Sequence, residues 1–262
     1  MKLDLVTRHI VDWLKNYQTQ SGTIGFVVGV SGGVDSALTS TLCAKTGLRT
    51  LCVEMPIHQH PEQVSRAQKH IANLQRKFAN VSSVKVDLTS TFEDLILALP
   101  KGENHENLDL SLANTRARLR MTTLYYFAGL HRYLVAGTGN KVEDFGVGFY
   151  TKYGDGGVDL SPIANLMKSE VFALAKYLEV IPEILNAAPT DGLFGDSRTD
   201  EDQLGASYDE LEWAMNYIGQ DEKKELTTRQ QEVLQIYKKL NTANQHKMKP
   251  IPVCEIPTAL KL

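Results

Sequence analysis

Four stretches of the sequence carry residue types that could do chemistry. In Gly29-Val30-Ser31-Gly32-Gly33-Val34-Asp35-Ser36, two adjacent glycines stand among serine hydroxyls and one carboxylate. Adjacent glycines tolerate positive φ and carry no Cβ, so neighbouring amide N–H groups can converge on an anion. Ser31 and Ser36 can add hydroxyl donors. Asp35 would repel phosphates unless a divalent cation bridged it to their oxygens, which points to Mg2+. The loop lacks the Gly-Lys-Ser/Thr ending of NTPases that cleave the γ-phosphate. The plain alternative is an ordinary Gly/Ser turn. In Asn114-Thr115-Arg116-Ala117-Arg118-Leu119-Arg120-Met121 the arginines alternate, and residues two apart share no helix face, so the three cannot serve one ligand. Gly137-Thr138-Gly139-Asn140-Lys141-Val142-Glu143 ends in an acid, and the stretch Gly148 to Leu160 is rich in glycine with a lysine and acids. Taken alone, Glu143 reads as a solvated loop acid, His246 as a surface histidine, and Arg116 and Arg118 equally as salt-bridge partners or ligands.

The elements that must position these residues alternate in type. Gly25 to Val30 is a short apolar run suited to a strand buried on both faces. Val34 to Thr46 reads as a helix stopped by Gly47, Arg49 to Glu54 as a strand, and Pro61 to Phe78 as a helix opened by its proline. Val81 to Asp87 and Tyr133 to Ala136 read as strands, and Thr91 to Leu99, Ser111 to Leu130, Lys168 to Leu178, Tyr208 to Ile218 and Thr228 to Asn241 as helices. Leu112, Leu119, Leu124 and Phe127 are core candidates, and Tyr208, after Leu204-Gly205, is compatible with packing alone but not confined to it. Asp191 to Gly205 reads as irregular, and the proline-bearing tail from His246 as non-helical. This order predicts an α/β fold, a doubly wound and mostly parallel sheet flanked by helices. In such sheets ligands bind beyond the carboxyl ends of the strands where strand order reverses, which gathers the loops after Val30, Glu54 and Ala136 around one pocket.

Bulk properties remove several classes. The 262 residues suit a single domain, and 42% are hydrophobic, enough for one sizeable core. A net charge of -3 gives no global case for nucleic acid or an anionic membrane. Met1 to Tyr17 has charges among helically spaced apolar residues, so it reads as a docked amphipathic helix rather than a signal peptide. Cys43, Cys52 and Cys254 are too few and too widely spaced for a disulfide framework or a zinc site, and a cytoplasmic location fits.

Ser-Gly-Gly-Val-Asp-Ser after an apolar strand resembles the pyrophosphate loop of the N-type ATP pyrophosphatases, which implies α–β cleavage of ATP and adenylation of a substrate oxygen. The order Ala117-Arg118-Leu119-Arg120-Met121, Gly137-Thr138 to Glu143, and Phe149-Tyr150-Thr151-Lys152-Tyr153-Gly154-Asp155-Gly156-Gly157 is similar to NAD synthetase. That resemblance implies a Rossmann-like, adenine nucleotide alpha-hydrolase-like fold. It implies that Asp35 and Glu143 hold Mg2+ and act in catalysis with Lys168. ATP, the co-substrate, would meet Gly29 to Ser36, Thr138, Lys168 and Thr190. The dinucleotide acid (deamido-NAD) would meet Arg120, Lys152 and Asp159, with His246 and Lys247 closing over it. Lys152 and Lys168 could neutralise charge developing on the phosphates. The implied reaction amidates deamido-NAD with ammonia, giving NAD, AMP and pyrophosphate through an acyl-adenylate. Only about 23 residues precede the first core strand, leaving no room for a glutaminase domain, so free ammonia is expected. The family resemblance also implies a homodimer. Two other classes compete: a tRNA-modifying adenylating enzyme, which would want a basic surface, and a nucleotide-binding module without catalysis, which has no use for both Asp35 and Glu143.

Overall fold

The computed structural model describes residues 1–100, 106–187, 199–218 and 225–261. Among them, β1 (Gly25–Gly29), β2 (Arg49–Glu54), β3 (Val81–Lys85) and β4 (Tyr133–Val135) form one parallel sheet in the order β3-β2-β1-β4. Val27 of β1 pairs with Leu51 on one side and Val135 on the other, so the winding reverses at β1. Ala136 bridges Leu160, which ties the glycine-rich stretch back to the end of β4.

The helices are α1 (Leu3–Ser21), α2 (Val34–Lys45), α3 (Pro61–Lys77), α4 (Thr89–Ala98), α5 (Leu108–His131), α6 (Lys168–Tyr177), α7 (Pro182–Leu185), α8 (Asp200–Leu204), α9 (Tyr208–Ile218) and α10 (Thr228–Met248). Alternate residues of β1 point to opposite faces, and both faces are covered. Phe26 and Val28 pack with α1, α2 and α6, whereas Val27 packs with α4 and α5. Leu112, Leu119, Leu124 and Phe127 lie half-buried on that second face, as their spacing predicts. A separate apolar cluster joins α9 and α10 to the segment after β4, through Val142, Val147, Leu211 and Val233. Cys43, Cys52 and Cys254 are free thiols, and no described helix is long and apolar enough to cross a membrane.

Three readings are corrected. The helix expected to end at Asn241 continues to Met248, so His246 and Lys247 are helical. The prolines act only from Lys249, the residue before Pro250, whose backbone turns extended. Within the stretch read as irregular, residues 191–198 lie outside the described ones, but Asp200–Leu204 is a helical turn. Thr199 caps it by accepting from the Asp202 N–H at 3.1 Å. The glycine-rich stretch after β4 contains a π-helical turn, Val142–Val147.

Candidate active site

The chain leaves β1 and enters α2 at the point where strand order reverses. Gly32 has φ +87°, and a Cβ there would stand 2.5 Å from the Gln63 carbonyl oxygen, so glycine is required on two counts. Ser36 Oγ donates to the Gly33 carbonyl at 3.0 Å and accepts from the Ser31 N–H at 3.2 Å. Ser31 Oγ accepts from the Gly33 N–H at 3.3 Å. Both hydroxyls therefore shape the loop. The first-turn N–H groups of α2, which have no intrahelical acceptors, face the space in front of it. Arg66 Nε donates to the Gly32 carbonyl at 3.3 Å, a cation at this loop that the motifs did not reveal.

Beside the loop, three charged side chains from distant segments meet. Lys168 Nζ lies 2.6 Å from Asp35 Oδ2 and 3.0 Å from Glu143 Oε1, and its side chain is 5% exposed. Lys168 opens α6, where the helix dipole disfavours a cation, so the two carboxylates must balance both effects. Burial works to lower its pKa, but the charges of Asp35 and Glu143 outweigh it and hold the ammonium well above the usual lysine value. Burial pushes Asp35 up, opposed by Lys168 and assisted by Glu143. As ions the three sum to one negative charge. Asn140 fixes their geometry. It is fully buried, its Nδ2 donates to Asp35 Oδ1 at 3.0 Å, and its Oδ1 accepts from the Val142 and Glu143 N–H groups at 3.1 Å each. One amide thus caps the π turn and joins it to the phosphate loop. Tyr208 donates to Glu143 Oε1 at 2.6 Å, and its ring centre lies 4.7 Å from Lys168 Nζ. Burial, then the Glu143 and Asp200 charges, push the phenol far up, so it remains a donor.

The π turn is held from its other end. Asn241 Nδ2 donates to the Gly146 carbonyl at 2.7 Å, Asn244 Nδ2 to that of Val147 at 2.8 Å, and Lys247 Nζ to those of Gly148 and Tyr150 at 2.8 Å each. Carbonyls at the end of the turn and just beyond it thus find donors along one side of α10.

A cavity of about 270 Å³ opens in front of these groups, lined by Gly29 to Ser36, the segment after β2 and the segment after β4. These are the three loops that the winding of the sheet predicts. Thr138, Glu143, Lys168 and Arg120 line it too. Asp144 and Asp155, which carry no assigned role in the sequence reading, also face it. Asp144 lies where a Cβ on Gly139 would be. Burial pushes its carboxyl up to about 8, helped by the charges of Glu143, Asp155 and Asp35. Asp155 accepts from the Thr151 N–H at 2.9 Å, and burial pushes it up to about 6.

The expected dinucleotide-binding residues are spread more widely. Arg120 donates to the Met55 carbonyl at 3.0 Å and to Gln59 Oε1 at 2.7 Å. Lys152, Asp159, His246 and Lys247 do not line the cavity. Lys152 Nζ meets the His246 carbonyl at 2.5 Å, so those two are neighbours. Asp159 accepts from Tyr125 at 3.0 Å and from the Val135 N–H at 2.8 Å. Arg118 points to the Lys152 carbonyl, and Arg116 stands 4.4 Å over the Phe92 ring. Thr190 lies outside the described residues.

Residues 6–251 match the family model described as NAD synthase. The chain is 39% identical over 252 residues to an NH(3)-dependent NAD(+) synthetase of Carboxydothermus hydrogenoformans, a match covering 96% of each protein. Among solved structures it is similar to the NMN synthetase of Francisella tularensis, with TM-score 0.85, 30% identity, and 98% of this chain and 99% of that one covered. It is also similar to the NH3-dependent NAD synthetase of Campylobacter jejuni, with TM-score 0.78, 27% identity, and 97% and 100% covered.

Proposed function

The chain belongs to the NAD synthase family, and from that premise we propose how its site amidates deamido-NAD with ammonia at the expense of ATP. The observation that carries the reading is the meeting of Asp35, Glu143 and Lys168 at the phosphate loop. The loop from Gly29 to Ser36 takes the ATP phosphates, with Thr138, Lys168 and Thr190 as further contacts. Asp35 and Glu143 fit Mg2+: they converge on one cation and leave a net negative charge. Mg2+ uses one or two carboxylates and completes its shell with phosphates and water. When bound, the ion would supply neutralisation of the pyrophosphate leaving group.

The chain's own residues do the rest. The phosphate loop and Lys168 hold the triphosphate while the pyridine carboxylate attacks the α-phosphorus. The α–β bond breaks, pyrophosphate leaves, and an acyl-adenylate remains. Ammonia then attacks the activated carbonyl, AMP departs with the C–O bond pair, and a proton is lost from nitrogen. Lys168 opposes charge gathering on the phosphates, and its burial makes that interaction stronger than it would be in water. Arg120, Lys152, Asp159, His246 and Lys247 would bind the dinucleotide acid.

The enzyme is a single domain that uses free ammonia and works in the cytoplasm, where its free thiols stay reduced. It acts as a homodimer. Leu97, Leu108, Leu110, Tyr126 and Leu130, on α4 and α5, are all exposed and would be covered by a second copy. Light scattering should give twice the 29.1 kDa chain mass. The deciding assay is pyrophosphate release with ATP, Mg2+, ammonia and deamido-NAD. Nicotinic acid mononucleotide is the competing acid, because one similar structure is an NMN synthetase. Preference for the mononucleotide would move the assignment to the shorter substrate, and release on tRNA alone would sink it.

A further inference from the structure

Glu143 is held by one oxygen only. Its Oε1 accepts from Lys168 Nζ at 3.0 Å and from the Tyr208 hydroxyl at 2.6 Å. Among the described residues its Oε2 has no hydrogen-bond partner, and its side chain is 16% exposed. Two donors on one carboxylate oxygen fix both the plane of the group and its rotation. The other oxygen is then left without a partner, on a side chain that lines the cavity.

Tyr208 is also placed by contacts outside the site. Ser207 and Glu210 form a capping box at the start of α9: the Glu210 N–H donates to Ser207 Oγ at 3.3 Å, and the Ser207 N–H donates to Glu210 Oε2 at 2.9 Å. Glu201 Oε1 accepts from the Tyr208 N–H at 2.9 Å. The ring is 5% exposed and packs in the cluster that contains Val142, the neighbour of Glu143. Asp200 Oδ2 lies 3.3 Å from the hydroxyl oxygen. The phenol has one proton, and the shorter contact gives it to Glu143.

We propose that Tyr208 is a positioning residue for the metal carboxylate, its hydroxyl holding Glu143 Oε1 so that Oε2 faces the cation. The inference rests on the reading of Asp35 and Glu143 as the Mg2+ carboxylates. Outer-shell partners of ligating groups carry a large share of metal affinity, typically 10- to 100-fold. Ring packing and the contact with Lys168 would survive in Tyr208→Phe, so only the hydroxyl is tested.

The test is Mn2+ binding, followed by electron paramagnetic resonance on the whole protein saturated with an α,β-methylene analogue of ATP. Tyr208→Phe should weaken Mn2+ about tenfold and raise the Mg2+ concentration for half-maximal turnover in parallel, with a much smaller effect on the KM for deamido-NAD. A lowered Tm with unchanged Mn2+ affinity would mean that the hydroxyl only packs, and would overturn the proposal. Glu143→Gln separates the two levels. If it too binds Mn2+ as the wild type does, the metal reading itself has failed and this inference with it. If Glu143→Gln loses Mn2+ and Tyr208→Phe does not, only this inference has failed. Should Tyr208→Phe not fold, 3-fluorotyrosine at position 208 supplies the answer. Its 19F resonance must shift when Mg2+ is added to the analogue complex, and a resonance indifferent to Mg2+ overturns the proposal.

Discussion

His70 offers a stability test whose size follows from a few distances. It lies on α3 facing α2 and is 1% exposed. Ser40 Oγ donates to the Ser36 and Ala37 carbonyls at 2.7 and 3.1 Å. Its proton is therefore committed, and the 3.0 Å contact with His70 Nε2 has the imidazole as donor. Among the described residues Nδ1 is buried without a partner, so a second proton would create an N–H with no acceptor. Burial accordingly pushes the ring down from 6.5 to about 4. An unfolded chain takes up this proton near pH 6.5 and the folded one only near 4. The stabilisation is complete above the unfolded value and drains away as pH falls toward the folded one. Between pH 8 and pH 5 the two values give a loss of about 2 kcal/mol, at ~1.36 kcal/mol per unit. Asp144 and Asp155 are pushed up instead, and as pH falls they favour the folded state. The raw pH profile therefore mixes signs, and a difference must be measured. His70→Gln keeps an N–H for Ser40 and does not titrate. Urea unfolding of both proteins at pH 8 and pH 5 should show the gap moving by about 2 kcal/mol in favour of the variant. A gap constant across that range would refute the argument.

Other outcomes follow from the same geometry. Gly32→Ala should cost at least ~1–2 kcal/mol from its positive φ alone, and should weaken ATP binding more than its neighbours' variants do, because the loop must also leave the Gln63 carbonyl; urea unfolding and nucleotide titration check both. Asp35→Ala should lower pyrophosphate release by about 100-fold or more, and turnover near the wild-type rate would remove its metal role. Asn244→Ala leaves the Val147 carbonyl without its donor. It should cost about 1–3 kcal/mol and lower kcat more than it changes the KM for ATP. Asp144→Asn should gain on the wild type as pH rises from 6 to 9, because the folded carboxyl resists ionising until about 8; thermal unfolding across that range reads the trend.

The sheet was legible because its inner strands are buried on both faces, although β3 at the edge is largely exposed. Phe26, Val27 and Val28 form an uninterrupted apolar run, and glycines or prolines punctuate the helices around it. The phosphate loop was legible for the same local reason, since Gly32 needs a backbone that no other residue adopts easily. The π turn was not, because nothing within Val142–Val147 prefers that geometry over a loop. It is specified by Asn140 before it and by Asn241, Asn244 and Lys247 after it. Asn140 stood inside a recognised motif, yet its role joins two segments that no local spacing connects. Tyr208 stayed open between packing and a site role because its ring does pack, and a single hydroxyl leaves no periodic signal. The capping boxes at Thr199 and Ser207 could have been found, as both have an acid three residues on.

The donors on α10 that hold the π turn come almost a hundred residues after it. A ribosome making this chain releases the phosphate loop early and those donors near the end. The phosphate loop is therefore made well before the far end of the turn that carries Glu143 has its donors. A stalled or clipped chain lacking α10 would keep the phosphate loop, while the turn that carries Glu143 would be tied only from its Asn140, Lys168 and Tyr208 side.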